Sequence, residues 1–96
     1  MGQSNYTSAK SAVTAMAVTW AKELAGHGIR AAAIAPGFMA TDILKDMKPQ
    51  ALEKISQSIP LRRLGEPQEI ANTALFIVEN DYLSGRTIEI DGGLRL

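Results

Sequence analysis

Apolar residues recur mostly at intervals of three and four near the start of the chain: Ala9, Ala12, Val13, Met16, Trp20 and Leu24. The pattern predicts one long helix over residues 4–25, with Ser4 or Asn5 as its cap and Gly26 and Gly28 where it should stop. At 1.5 Å per residue that helix is about 30 Å long. Alanine and other small side chains fall on more than one of its faces. It is therefore expected to be buried on several sides, against a sheet on one and a partner subunit on another.

Residues 29–35, IRAAAIA, form a short continuous apolar run, the signature of a strand covered on both faces in a parallel sheet. Pro36-Gly37 ends it. Residues 41–58 are amphipathic and interrupted by Pro49, which predicts two short helices. Thr41 or Asp42 caps the first and Pro49 opens the second. Residues 60–65, PLRRLG, read as a loop. Pro67 opens a further helix, with Ile70, Ala71, Ala74, Leu75 and Val78 on one face and an end near Asn80. Ser84-Gly85 is a turn. Residues 86–90, RTIEI, alternate and are β-branched, so they form a strand that Asp91-Gly92-Gly93 ends.

The order helix, strand, helices, strand places the chain in the α/β class. Its two strands are joined by a helical crossover and are expected to be parallel and right-handed. A two-stranded parallel sheet leaves two open edges and is rarely a complete domain. The whole chain therefore reads as a single, partial domain, residues 1–96.

Composition narrows the function classes. In 96 residues, ten basic side chains balance ten acidic ones, which removes the electrostatic case for nucleic acid or an anionic membrane. There is no apolar run long enough to span a bilayer. Cysteine is absent and there is one histidine, so neither disulfides nor a cysteine- or histidine-rich metal site is expected. The first ten residues do not read as a signal peptide, and a cytoplasmic location follows by default.

The candidate chemistry begins with Tyr6 and Lys10. Four residues apart on a helix, they share a face, with Cβ atoms roughly 5–6 Å apart. An ammonium near a phenol favours the phenolate and lowers its pKa from about 10, which suits a general acid or base. Taken alone, the spacing fits an incidental surface pair as well. Pro36, Gly37 and Thr41 make up the second feature. A loop at the carboxyl end of a buried strand is where α/β sheets take ligands, and Thr41 offers a hydroxyl at a helix start. The plain alternative is a strand-to-helix turn. Asp91-Gly92-Gly93 reads as a turn rather than a metal or phosphate loop, and His27 as a solvated helix-end residue. Arg62 and Arg63 suit either an anionic substrate or a solvated pair. Met39, Met47 and Trp20 read as packing.

Together these features resemble a family. GQSNYTSAK is similar to the active-site segment of the short-chain dehydrogenases/reductases, with its Tyr-x-x-x-Lys. GIRAAAIAPGFMATD resembles their next strand and its Pro-Gly-x-x-x-Thr loop. IPLRRLGEPQEIANTALFIVEN and SGRTIEIDGG resemble their last helix and last strand. The resemblance covers nearly the whole chain in order. It is nearest in flavour to the 3-oxoacyl-[acyl-carrier-protein] reductase-like and 3-hydroxyacyl-CoA dehydrogenase-like members.

The resemblance implies the C-terminal portion of a Rossmann-like, doubly wound fold and hydride transfer between a nicotinamide cofactor, NADP or NAD with NADP favoured, and a ketone or secondary alcohol. The substrate would be a small carbonyl compound or an acyl thioester. Tyr6 would give the proton to the carbonyl. Lys10 would lower the Tyr6 pKa and bond the nicotinamide ribose. Pro36, Gly37 and the backbone of Met39 would border the nicotinamide, and Thr41 its carboxamide or the pyrophosphate. Residues 41–64 would form a mobile substrate flap. By the same analogy the first helix and the last strand would lie in subunit interfaces of a homo-oligomer, a dimer or tetramer.

Three parts of the family pattern have no counterpart in the sequence: the Gly-rich TGxxxGxG turn, the Asn-Ala-Gly segment and the serine that precedes the tyrosine. Ala32 also stands where many members have asparagine. The expectation is a truncated product, an internal start or a fragment, inactive by itself. A non-catalytic oligomerisation piece and a small binding module reusing the scaffold are the alternatives.

Overall fold

The computed structural model describes residues 3–95, and the side chains of all of these except residues 3–7 and Ile43. A long helix α1 (Gln3–Leu24) leads through a 3-10 turn at Ala25–His27 to strand β1 (Ala33–Pro36). Helices α2 (Asp42–Lys45), α3 (Pro49–Ser58) and α4 (Pro67–Glu79) follow, then strand β2 (Thr87–Ile90). The strands pair in parallel, Ala33 with Thr87 through Pro36 with Ile90. This is the α/β arrangement, a long helix followed by a βαβ unit, that the sequence predicts.

Several boundaries differ for physical reasons. Ser4 and Asn5 lie inside α1 and not at its cap. Gly26 falls within the 3-10 turn, and it is Gly28, at φ 75°, that supplies the left-handed residue ending the helix. The first strand is shorter than residues 29–35. Its ladder starts at Ala33, whose N–H donates to the Arg86 carbonyl at 3.0 Å, and it runs on through Pro36. Proline is tolerated in this pairing because the N–H groups of Ala33 and Gly37 face β2 and the alternation turns the Pro36 nitrogen away from that ladder.

The buried apolar core is small: Ala17, Ala33, Ala35 and Ile59. The expected burial of α1 on several sides is not met within the chain. One face, through Ala17, packs on the sheet, while Val13, Met16 and Trp20 remain 44–49% exposed. Trp20 is therefore only half covered within the chain. The predicted inner face of α4 is also displaced. Ala71, Ala74, Leu75 and Val78 are exposed, and Ile70, Thr73 and Ile77 are the half-buried positions. The chain accordingly exposes 6984 Å², against about 5,400 Å² for a compact protein of its mass. Its radius of gyration is 15.5 Å, against roughly 12–13 Å.

Ile59, 2% exposed, is the anchor between the 41–64 segment and the end of β2. Gly92 lies directly on it: a Cβ there would come within 2.7 Å of the Ile59 Cγ2, and φ is +65°. Beside that contact the Leu61 N–H donates to the Gly92 carbonyl at 3.1 Å.

Candidate functional site

α1 runs along the sheet in the opposite sense to β2. Ala21 abuts Gly85, Thr14 Oγ1 and Thr87 Oγ1 share a hydrogen bond of 3.0 Å, and Lys10 Nζ donates to Glu89 Oε1. The spacing follows from the two repeats. Four helical residues rise about 6.0 Å and two strand residues about 6.6 Å, so partners at i and i+4 meet partners two apart on one strand face. The helix turn holding Tyr6 comes next in that series, towards the carboxyl ends of the parallel strands. The Tyr6 side chain itself lies outside the described residues.

Pro36 and Gly37 lie at the same end. The Gly37 N–H donates to the Ile90 carbonyl at 2.9 Å, so the ladder extends one residue past the strand. A Cβ on Gly37 would fall 2.6 Å from the Asp91 Cβ and 2.8 Å from its Cα. The crossing of two backbones is by itself enough to require glycine here. Asp91 closes the turn. Its Oδ1 accepts from the Gly93 N–H at 3.0 Å, and its Oδ2 from Arg95 at 3.2 Å. The Arg95 guanidinium also donates to the Pro36 carbonyl at 2.8 Å. Asp91-Gly92-Gly93 is the turn after a strand that the sequence predicts.

Two cavities flank this end of the sheet. One, of about 170 Å³, is bordered by Ala9, Lys10, Val13, Pro36 and Thr87 among others, and so brings Lys10 and Pro36 together. The other, of about 250 Å³, is bordered by Phe38, Met39, Gly65, Glu69, Glu89 and Asp91 among others. Met39 reaches it because residues 38–40 run beside Gly65. The Gly65 N–H donates to the Phe38 carbonyl at 2.9 Å, and the Ala40 N–H to the Gly65 carbonyl at 2.7 Å. Thr41 borders neither cavity. It is the N-cap residue of α2, exposed, and its hydroxyl makes no capping bond, so the expected side-chain cap is absent.

The arginines also find partners. Arg63 donates to both carboxylate oxygens of Glu69, at 2.8 and 3.0 Å, and Arg62, at φ 62°, donates to the Gln57 carbonyl at 3.0 Å. Each guanidinium thus has a partner within the chain. The guanidinium of Arg63, together with the Glu66 N–H, holds the Glu69 carboxyl down at about 2 and is itself pushed above its ordinary value by that contact. Among the described residues no group of acids and histidines is arranged to hold a metal, and no helix is long and apolar enough to cross a membrane.

Sequence reasoning passed over Glu89, the partner of Lys10. Its signal was the single acidic residue in RTIEI, on the same strand face as Thr87. It also passed over Arg30, the one charge in IRAAAIA, which bonds the end of α4.

A family model described as enoyl-(acyl carrier protein) reductase matches residues 1–95. The chain belongs to the short-chain dehydrogenase/reductase family. This is a family of NAD(P)-dependent oxidoreductases. The 3-oxoacyl-[acyl-carrier-protein] reductase FabG of Thermotoga maritima is 46% identical over 95 residues, 97% of this chain and 39% of that protein. Carbonyl reductase family member 4 of Xenopus laevis is 42% identical over 96 residues, all of this chain and 39% of that protein. A crystal structure of the 3-oxoacyl-[acyl-carrier protein] reductase from Brucella melitensis superposes with a TM-score of 0.86 at 33% identity, covering 95% of this chain and 35% of that one. This short-chain dehydrogenase/reductase chain thus spans about two fifths of the length of the curated relatives it matches.

Proposed function

We propose that this chain supplies the acid–base side of an NAD(P)(H)-dependent reductase that converts a ketone, of the 3-oxoacyl-thioester kind, into a secondary alcohol, with NADP the favoured cofactor. The observation that carries the reading is the convergence at one end of the sheet. The turn of α1 that holds Tyr6, the Lys10 ammonium, the Pro36-Gly37 loop and Met39 all lie at the carboxyl ends of the parallel strands, where α/β sheets bind ligands.

The donor set fits one end of a nicotinamide cofactor. Lys10 is a half-exposed ammonium suited to ribose hydroxyls, and the Thr41 hydroxyl is exposed and uncommitted to a cap. Pro36 and Met39 would give the apolar border of a flat ring. The phosphate end finds no counterpart in these residues, since the sequence holds no TGxxxGxG turn. When bound, the nicotinamide supplies the hydride. The chain's own part is to place the Tyr6 hydroxyl as proton donor to the substrate oxygen, with Lys10 favouring the phenolate left behind. Residues 41–64 act as the flap that closes over the substrate.

We further infer that the 96 residues alone do not turn over substrate. Purified chain with NADPH and an acetoacetyl thioester is expected to give no loss of absorbance at the nicotinamide band. Oxidation at an enzymatic rate that Tyr6→Phe abolishes would overturn the inactivity. The reductase reading is tested by adding the portion of the Thermotoga maritima relative that this chain does not match. Activity should appear and be lost in Tyr6→Phe. An active mixture indifferent to Tyr6 would refute the assignment.

A further inference from the structure

We propose that Glu89 is a positioning residue for Lys10: its carboxylate holds the ammonium against the sheet and sets how strongly that charge acts on Tyr6. The proposal rests on the reading of Tyr6 and Lys10 as the acid–base pair.

Lys10 and Glu89 are 79 residues apart in sequence and yet form an ion pair, with 31% and 35% of their side chains exposed. The contact is not a chance meeting of two long side chains. One turn further along α1, Thr14 meets Thr87 on the same face of β2, and Ala21 meets Gly85 beyond that. The Lys10 and Thr14 contacts share one register, four helix residues against two strand residues, so the helix delivers Lys10 to Glu89 wherever the helix and sheet are packed. Arg63, Glu69 and Asp91 border the same cavity as Glu89, and Arg63 and Glu69 pair with one another at 2.8 and 3.0 Å. β1 carries no ionisable side chain, Asp91 and Arg95 beyond the strand ends satisfy one another at 3.2 Å, and on the described part of α1 the other charges, Lys22 and Glu23, lie at the far end. The pair also has one member on each of the two cavities, Lys10 on the smaller and Glu89 on the larger. A carboxylate beside the ammonium offsets much of the field that a tyrosine one turn away would feel. It also keeps Nζ bonded to the strand, so Lys10 must release Glu89 before it can reach a ligand hydroxyl.

The chain has two tyrosines, so in a Tyr82→Phe background phenolate absorbance reports Tyr6 alone. The Tyr6 titration midpoint is then compared among the parent, Glu89→Gln, Glu89→Asp, Lys10→Met and Thr14→Val, with far-UV circular dichroism following α1. Glu89→Gln should lower the midpoint by roughly half a unit to one unit, and Glu89→Asp should keep it near the parent. The shift should shrink in 1 M salt, where the Debye length is about 3 Å. Thr14→Val loosens the same helix–strand contact without altering charge and should leave the midpoint unchanged. If Lys10→Met raises the midpoint and Glu89→Gln does not move it, the role of Glu89 is overturned while the acid–base reading stands. If Thr14→Val moves it as far as Glu89→Gln, the effect is structural and the proposal also falls. If Lys10→Met has no effect, both ideas fail together.

Discussion

Arg30 offers the sharpest test of what holds the crossover in place. Its Nη1 donates to the carbonyls of Ile77, Asn80 and Leu83 at 2.9, 3.0 and 3.1 Å, and its Nη2 to that of Val78 at 2.9 Å. Helix α4 ends at Glu79, so Ile77 and Val78 belong to its last turn and Asn80 and Leu83 lie just beyond it, and their carbonyls gather onto one cation at the negative end of the dipole. Hydrogen bonds to a charged group are each worth about 1.5–3 kcal/mol. The Arg30 side chain is 30% exposed, however, and water can take over part of the set. Replacing Arg30 by methionine, which keeps most of the aliphatic stem, should therefore cost about 3 kcal/mol in total. At roughly 4–8 °C per kcal/mol for a chain of this size, the midpoint of thermal unfolding should fall by about 12–24 °C. Urea unfolding followed by circular dichroism gives the free energy directly. Arg30→Lys should recover only part of the loss, because a point charge cannot span the carbonyls as the planar fork does. The reasoning is refuted if Arg30→Met costs less than about 0.5 kcal/mol, the ordinary scatter of surface changes, or if Arg30→Lys is as stable as the parent.

Two further outcomes follow from contacts already described. Gly37→Ala places a Cβ 2.6 Å from the Asp91 Cβ, and since one side of the clash is backbone, it should destabilise by more than about 2 kcal/mol in the same urea assay. A near-neutral result would mean the two backbones do not cross so closely. Glu69 has its carboxyl lowered from 4.5 to about 2 in the folded chain, through the Arg63 hydrogen bond first and the Glu66 N–H second. A lowered folded value means the contribution is present above the unfolded pKa and fades as the pH falls from about 4.5 towards 2. Glu69→Gln should flatten the stability profile in that window and leave neutral-pH slopes alone; an unchanged acid limb would refute the pairing.

The class of fold was legible because proline and glycine punctuate the sequence at the right places. Pro49 and Pro67 begin α3 and α4, and Gly28 ends the turn after α1. The extent of β1 was not, because an apolar run such as IRAAAIA carries no mark of which residues find a ladder partner; that is decided by Arg86 and Thr87, more than 50 residues away. The burial of α1 and α4 was overestimated for a related reason. Periodicity reports which face is apolar, and Trp20, Leu75 and Val78 lie on apolar faces for which the chain provides no cover. At the candidate site, spacing alone brought Lys10 to notice. Glu89 escaped because long-range ion pairs have no sequence period. Gly37 was noticed as part of a loop at a strand end, and its closeness to the Asp91 backbone, another long-range contact, left no mark in the sequence.

The Arg30 contacts also bear on how the chain folds. The bond from Arg30 to Leu83 and that from the Ala31 N–H to Ser84 each span 53 residues, and the first rung of the ladder, Ala33 to Arg86, closes the same loop. Loop-closure entropy grows only logarithmically with length and is lost once, by whichever contact forms first. The cap on α4 and the pairing of the strands are therefore one cooperative event, and neither gains much until the other has formed. A local feature at a helix end thus shares its loop-closure cost with the pairing of the two strands.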